Sequence, residues 1–447
     1  MTNKTFSDFV KNLRFEDIPP HILAIMQRSL LDTIGVAAIG SQTELSKITR
    51  GFAARHMPCG ADTPRARLLF DGANVSPMGA AMAGAFTIDS IDAHDGITPA
   101  KGHAGSAVLP GVLAVVDSLE RKVSGQELIL ALTIGYEIAY RAGLTLHATV
   151  PDYHTSGAWT AVGVAAAAAR LLGLNDEQLR HAVGIAEYHG PRSQMMRCID
   201  HPTMLRDGVG WGAPVGVSAA FLAADGFTGA PAITIEGDDA APFWHDLGSR
   251  WDIESTHYKA YPVCRWAHSA IDAVQDLMQE NNLSSDMIER ARILTFHYAT
   301  KLAGHAPKTL DELTYALAFP FAIMAVRGQI GVAELQPEIL NDPEILRISR
   351  ATVLEETEHY NKISIKKRWA DVTLYLKDGR ELQSKAYAPR GDPDSPLSDA
   401  EISKKFHMFA DDVLGEQCAQ NIEDQVAKVT YKTFNSKTLL ALVFPAP

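Results

Sequence analysis

The alternation of apolar and polar residues predicts helix over most of residues 1 to about 265. Helix start signals recur ahead of the apolar stretches in this part of the chain. Ser124-Gly-Gln-Glu127 has the form of a capping box before LILALTIGYEIAYRAG, and Asn175-Asp-Glu-Gln178 begins the next helix in a similar way. Small residues share one helix face over residues 79–84, which permits close packing between helices. We therefore predict a large helical domain.

The pattern changes after Arg265, where strand signals join the helical ones. A helix over about 267–281 leads to ARILTFHY, whose alternation and β-branched or aromatic residues predict a strand. The segment WADVTLYLKDGRELQSKAY predicts a hairpin that turns at Asp378-Gly379. A linker rich in Pro, Gly and Asp then leads to a capping box at Ser398-Asp-Ala-Glu401 and to further helices.

Together these patterns predict a mainly α fold with an inserted α+β domain. The large helical domain comprises residues 1–265 and 397–447, and the smaller α+β lid domain comprises residues 266–396. A chain of 447 residues exceeds what one hydrophobic core usually serves, so its length also favours two domains. We expect the ligand site in the cleft between them.

Charge and cysteine content exclude several classes of protein. The formal net charge of -12, without a stripe of Lys and Arg, argues against a nucleic-acid partner. The four cysteines lie far apart, so neither a zinc knuckle nor a disulfide framework is indicated. The N-terminal segment lacks the apolar core of a signal peptide, and the small-apolar stretch 158–169 is too short to span a bilayer. We expect a cytoplasmic protein without a membrane partner.

The densest cluster of polar residues lies at 89–103, after a helix that should be buried. It includes Asp92, His94, Lys101 and His103, and charges in such a place need partners or a chemical role. Asp and His can bind a metal ion, but neither an HExxH nor a DxDxDG motif is present. We therefore expect no metal and no cofactor. The alternative is a network that only caps helices and fixes the loop.

Two further segments carry reactive side chains. Tyr153 and His154 precede an Ala-rich helix, whose N-terminus can receive an anion. Lys259, Tyr261 and Arg265 fall together at the predicted domain boundary. A buried lysine has its pKa lowered by desolvation and can then act as a base, whereas a solvated run of charges is the alternative.

Arg206 precedes the Gly-rich stretch GVGWGAPVG, which superficially suggests a phosphate loop. The stretch follows no predicted strand and lacks the Lys-Ser/Thr ending, so we do not expect a nucleotide. A G-x-S-x-G elbow is absent as well, which removes the commonest signal of a serine hydrolase.

Along nearly its whole length the sequence resembles the 2-methylcitrate dehydratase (MmgE/PrpD) family, which includes cis-aconitate decarboxylase and iminodisuccinate epimerase. The resemblance is carried by the order of SLLDTIGVAAIG, GHAGSAVLPGVLAV, GYEIAYRAG, SAAFLAADGFTG, KAYPVCRWAHSAIDA and PLSDAEISKKF. It implies a helical domain with an α+β lid, a homodimer, and a site between the domains. It also implies that Asp92, His103, His154 and Lys259 belong to that site.

The sequence departs from the dehydratase and decarboxylase pattern at several positions of this resemblance. It has Asp92-Ala-His94-Asp95 in place of D-x-D-D, and Cys264 where some members carry a histidine. Phe319 stands at the place of a tyrosine, and only Arg206 approximates a family lysine. These departures favour the branch that resembles iminodisuccinate epimerase.

We therefore predict a cofactor-independent epimerase that removes and returns a proton at a carbon next to a carboxylate of a small polycarboxylate. Lys259 and either Tyr153 or His154 are the predicted acid/base groups. Asp92 and His103 complete the predicted catalytic set, and the predicted substrate-binding residues are Lys101, Arg206, Arg265, Tyr261 and His94. A hydro-lyase of the 2-methylcitrate dehydratase type is the alternative, and a carboxylate-binding protein without catalysis is the second.

Overall fold

The first part of the chain folds as a set of packed helices. The computed structural model describes residues 4–302 and 304–445. Helices at the start of the chain are Lys4–Asn12 (α1), Pro20–Gly40 (α2), Glu44–His56 (α3), Pro77–Asp89 (α4), Gly105–Ser118 (α5), Gly125–Thr149 (α6), Gly157–Leu172 (α7), Asp176–His189 (α8), Met196–Asp200 (α9), Val209–Ala224 (α10), Ile233–Glu236 (α11) and Ala241–Trp244 (α12). The alternation did not predict the small antiparallel hairpin formed by Ala66–Arg67 (β1) and Asn74–Val75 (β2).

The α+β part of the chain follows. Its helices are His268–Glu280 (α13), His297–Thr300 (α14), Leu310–Thr314 (α15), Ala318–Arg327 (α16), Pro343–Arg350 (α17) and Glu358–Ile363 (α18). Its strands are Ile288–Thr295 (β3), Thr352–Glu356 (β4), Asp371–Leu376 (β5) and Glu381–Gln383 (β6). Three helices close the chain: Asp399–Leu414 (α19), Glu416–Lys428 (α20) and Ser436–Val443 (α21). The mainly α fold with a smaller α+β part is confirmed.

The four longer strands form one mixed sheet in the order β4-β3-β5-β6. Strand β3 pairs in parallel with β4 and antiparallel with β5, and β5 pairs antiparallel with β6. The predicted hairpin is therefore β5 and β6. Its turn contains Gly379 at φ 89°, a left-handed conformation that glycine adopts without a steric penalty.

Helix starts follow the predicted capping signals, with one difference. Asn175 and Ser398 each form a reciprocal capping box with the residue three positions later. Ser124 also accepts a hydrogen bond from the backbone N–H of Glu127, but the Glu127 carboxylate pairs with Arg121 instead of returning to the cap. Because the Arg121 guanidinium binds the Glu127 carboxylate, only one of the two hydrogen bonds of the predicted capping box forms.

The Ala-rich helix α7 lies at the centre of the helical part, packed against α6 and α10. Its small side chains allow the backbones of the neighbouring helices to approach α7 closely. A Cβ added to Gly163 would lie 2.3 Å from the carbonyl oxygen of Gly135 in α6. At the start of α7, which borders the candidate site, a Cβ added to Gly157 would lie 2.2 Å from the carbonyl oxygen of Gly208.

Helix α2 is the one helix of the described chain that is long and apolar enough to cross a bilayer. The apolar stretch 158–169 named in the sequence prediction lies in α7, so that prediction did not include α2. Of its most apolar window, 61% is buried, and it packs against α4 and α19 as a core helix does.

Apolar side chains form two principal clusters. The larger one draws on residues 6–253 and again on 406–444, so the C-terminal helices return to the helical part. The second draws on residues 261–376 together with Met195, Cys198 and Ile199. The domain limits at 265 and 397 stay a prediction. The packing shows that the segment near residue 260 passes from one cluster to the other.

Candidate active site

A cleft opens where the two apolar clusters meet, and it encloses about 530 Å³ with its mouth included. That volume suits a small ligand. Six of the predicted residues line it, namely Asp92, Lys101, His103, Tyr153, Lys259 and Arg265. Other polar side chains on its wall are Thr98, Asp207, His257, Cys264, Tyr315 and Arg368. The cleft therefore unites loop 92–103, the start of α7, the segment near residue 260 and the α+β part.

Lys259 and Asp92 form a buried ion pair at the base of the cleft. The Lys259 side chain is fully buried, and its Nζ donates to Asp92 Oδ1 at 2.5 Å and to the Asp92 carbonyl at 2.8 Å. An ammonium has three N–H donors, so one remains for a ligand. Lys259, whose surroundings in the sequence predicted a base, thus donates hydrogen bonds to Asp92 in this structure.

The backbone of the site is strained at three predicted residues. Asp92, Lys101 and Arg206 have φ values of 52°, 57° and 53°, in the left-handed region. Such a conformation costs a non-glycine residue about 1–3 kcal/mol and is enriched at functional sites. The Lys259 hydrogen bond to the Asp92 carbonyl helps to offset this cost.

Two histidines stack beneath the cleft. The rings of His94 and His103 are 4.3 Å apart and inclined by 13°. His94 Nε2 lies 3.0 Å from Asp89 Oδ1, and His103 Nδ1 donates to the carbonyl of Asp95 at 2.6 Å. Burial, and then the charge of Lys259, hold the pKa of His103 well below 6.5. A neutral His103 that donates from Nδ1 keeps Nε2 as an acceptor.

Asp92, His94 and His103 place potential metal-ligand atoms within 4.8 Å of one another. The groups that already contact these three residues disfavour a metal ion at this position. The Lys259 ammonium already contacts Asp92, Asp89 holds His94, and the Asp95 carbonyl accepts from His103. A metal ion would have to displace or face the ammonium, whose charge repels it.

Incubation with a strong chelator, followed by its removal, is therefore expected to leave activity unchanged. The reason is that the three-residue group is already satisfied by an ammonium and by hydrogen bonds. Turnover would be measured before and after treatment, with each divalent metal added back singly. Loss of activity that one metal restores would contradict this expectation.

Two cations of the cleft have no carboxylate within 4.0 Å in residues 4–302 and 304–445: Lys101 and Arg368. Lys101 Nζ lies 5.5 Å from the Tyr153 ring centre, and the Tyr153 hydroxyl donates to the Lys101 carbonyl at 2.9 Å. Arg368 donates to the Ser364 carbonyl at 2.5 Å. Burial lowers the pKa of both cations, and their mutual repulsion lowers that of Lys101 further. An anionic ligand would relieve both effects.

Four predicted residues do not line the cleft. His94 lies behind His103, and His154 is turned back to the Asp152 carbonyl at 2.9 Å. Arg206 forms an ion pair with Asp311 at 2.5 Å, and the Tyr261 hydroxyl donates to Asp272 at 2.7 Å. Each of these side chains is bonded within the protein, although His94 Nδ1 and Arg206 Nε have no hydrogen-bond partner among the described residues. This arrangement suits the four residues to support the cleft walls. Their roles as ligand contacts stay predictions.

The sequence analysis missed His257, Asp207, Tyr315 and Arg368. Arg368 ends the run Lys366-Lys367-Arg368, which has the form of an ordinary solvated charge run. Asp207 binds the Ser156 hydroxyl, and burial together with Asp89 raises its pKa well above the usual value. Two of the four had a sequence signal, because His257 lies two residues before Lys259 and Asp207 directly follows Arg206.

The order of elements around this cleft agrees with two family models. Residues 4–244 match the MmgE/PrpD N-terminal domain, and residues 261–430 match the MmgE/PrpD C-terminal domain. The chain belongs to the MmgE/PrpD family. The resemblance drawn from the sequence motifs is thereby confirmed. The C-terminal family model extends through α19, although α19 packs on α2 of the helical part.

Characterised relatives of this MmgE/PrpD protein are similar over almost their whole length. The cis-aconitate decarboxylase-like protein oryM of Aspergillus oryzae is 22% identical over 98% of this chain and 96% of its own. The cis-aconitate decarboxylases of Mus musculus and Homo sapiens are 24% and 25% identical. These two alignments cover 95% and 94% of this chain and 89% and 90% of the relatives. The two mammalian relatives are named as decarboxylases of cis-aconitate.

Proposed function

We propose that this protein is a cofactor-independent epimerase that acts at a carbon next to a carboxylate of a polycarboxylate such as iminodisuccinate. The observation that carries the proposal is the composition of the cleft. Lys101 and Arg368 face it and have no carboxylate within 4.0 Å among the described residues, and they lie beside the paired ammonium of Lys259. Several carboxylates can therefore be held around one reacting carbon.

Removal of a proton next to a carboxylate moves negative charge onto the carboxylate oxygens. In this proposal the remaining N–H of Lys259 contacts those oxygens and stabilises the charge as it develops. Tyr153 delivers a proton on the other face. Burial raises the pKa of its phenol well above 10, so the hydroxyl keeps its proton until a stronger base takes it. Epimerisation needs two such groups on opposite faces.

A lyase is the second candidate, because the relatives named above are cis-aconitate decarboxylases. Cys264 supports the epimerase instead, since it lines the cleft where the family resemblance places a histidine in some members. Burial, and then Asp92, raise the pKa of the Cys264 thiol to about 12. A thiol of that pKa is a poor replacement for an imidazole in proton transfer at neutral pH.

Chiral chromatography of a panel of tri- and tetracarboxylates after incubation tests the proposal. An epimerase interconverts stereoisomers of one panel member without changing its mass. A lyase yields an alkene or loses carbon dioxide, and a non-catalytic binder returns each compound unchanged. Either of these last two results would reject the proposed reaction.

The α+β part, residues 266–396, is expected to move as a lid over the cleft, because Arg368 reaches the site from it. Hydrogen exchange measured with and without a tricarboxylate tests this. Amides of this segment and of loop 92–103 should gain protection, while α7 should change little. Equal changes in residues 266–396 and in α7 would contradict a lid.

We also propose a cytoplasmic homodimer. Trp211 and Leu222 lie on one face of α10 and are 51% and 40% exposed, and Leu205 nearby is 70% exposed. A second copy would cover such apolar residues. Trp211→Glu should then raise the dimer dissociation constant at least tenfold in analytical ultracentrifugation. The control is Tyr431→Glu, at an exposed position on the chain's C-terminal part. A monomeric wild type would contradict the dimer.

A further inference from the structure

We infer that His257 is the catalytic base that takes the substrate proton, an assignment that rests on the proposed function. His257 is 4% exposed and lines the cleft, and neither ring nitrogen has a hydrogen-bond partner among the described residues. Buried polar atoms normally have partners, so each exception calls for a reason. A ligand in the cleft supplies one.

The protein fixes where this imidazole lies. The His257 backbone N–H donates to the Gly96 carbonyl at 2.8 Å, and the Gly96 N–H donates back at 3.1 Å. The ring meets that of His103 edge to face, with centres 6.4 Å apart. Its nearest carboxylate is Asp392, whose Oδ1 is 3.9 Å from Nδ1 and is already bound by Arg265 at 2.6 Å. The protein thus orients the imidazole, while the carboxylate nearest to it pairs with Arg265.

The charges around His257 keep it ready to accept a proton. Burial, followed by the charges of Arg265 and Lys259, holds its pKa well below 6.5. The ring is therefore neutral at pH 7 and carries a free lone pair. A bound polycarboxylate adds negative charge beside it, which favours the imidazolium and raises its basicity when substrate is present. Lys259 is less suited to this step, because Asp92 holds its ammonium.

The proposed step balances in protons and electrons. A ring nitrogen of His257 forms an N–H bond as the Cα–H bond breaks, and the electron pair passes into the adjacent carboxylate. The ammonium of Lys259 stabilises that charge. Tyr153 then delivers its hydroxyl proton to the opposite face of the carbon. The imidazolium releases one proton to solvent and the phenolate takes one up, which restores the enzyme.

His257→Gln tests the assignment by the rate of solvent-deuterium exchange at Cα. Loss of a general base lowers the rate by about 10²–10⁴-fold, while KM should change by less than about threefold. His305→Gln is the matched control, since His305 is partly buried and bonded to the Ser349 carbonyl away from the cleft. It should exchange at the wild-type rate.

Chemical rescue separates a base from a structural histidine. In His257→Gly, added imidazole should restore exchange at least tenfold, which a purely structural role would not produce. If the glutamine variant does not fold, His257→Asn replaces it, with folding checked by circular dichroism. Wild-type exchange in a folded His257 variant would overturn this inference alone. Absence of exchange in the wild type across the polycarboxylate panel would overturn the proposed function and this inference with it.

Discussion

Lys259→Ala is expected to lower kcat for proton exchange at Cα by about 10²–10³-fold, the range expected when a donor that stabilises the developing negative charge is lost. Lys259 is buried, contacts Asp92, and has one N–H left for the reacting carboxylate. Lys101→Ala removes the same charge from the mouth of the cleft. It should act mainly on KM, because Lys101 is assigned binding alone.

A loss of catalytic rate in these two variants must be distinguished from a loss of folding stability. Without Lys259, the buried Asp92 loses its partner, and breaking such a pair typically costs about 3–5 kcal/mol of unfolding free energy. Both variants are therefore compared at a temperature at which circular dichroism shows them folded. Near-wild-type exchange by folded Lys259→Ala would remove this residue from the mechanism.

Arg368→Gln is expected to raise KM for tri- and tetracarboxylates by about 10–100-fold, because a charge-assisted hydrogen bond contributes about 1.5–3 kcal/mol. Arg368 lines the cleft and has no carboxylate within 4.0 Å among the described residues. The effect should shrink for a dicarboxylate, which has fewer groups to bind. Steady-state kinetics across the panel measure both trends.

Lys366→Gln provides the matched control for Arg368→Gln. It removes one positive charge two residues away from an exposed side chain that does not line the cleft. If both variants raise KM equally, the effect is one of overall charge rather than of a carboxylate contact. If Arg368→Gln leaves KM unchanged for every polycarboxylate, Arg368 does not bind a substrate carboxylate.

Local signals in the sequence were sufficient for much of the fold. The capping residues Asn175 and Ser398 begin helices where predicted, and the Asp378-Gly379 turn joins β5 to β6. These features depend on neighbours within a few residues, which the sequence displays directly. Hairpin β1–β2 escaped detection because two strands of two residues are too short for an alternating pattern.

The site was predictable only in part, because its contacts join distant residues. The Asp92–Lys259 pair spans 167 positions, and the motifs contained both residues but not their contact. Lys405 of α19 donates to the carbonyl of Ala93, 312 positions away, and pairs with the buried Asp32. Such long-range partners decide which cation is free for a ligand. The sequence alone therefore could not separate Arg368, which has no carboxylate within 4.0 Å in the described part of the chain, from Arg206, which Asp311 binds.

Proton NMR of a polycarboxylate in deuterium oxide tests the central claim most directly, since it follows the Cα proton itself. With iminodisuccinate as first substrate, the protein should replace the Cα proton by deuterium and interconvert stereoisomers at constant carbon skeleton, with no alkene signal. Both changes should be about 10²–10³-fold slower with Lys259→Ala. Formation of an alkene or of carbon dioxide, or complete retention of the Cα proton with every polycarboxylate tested, would contradict an epimerase.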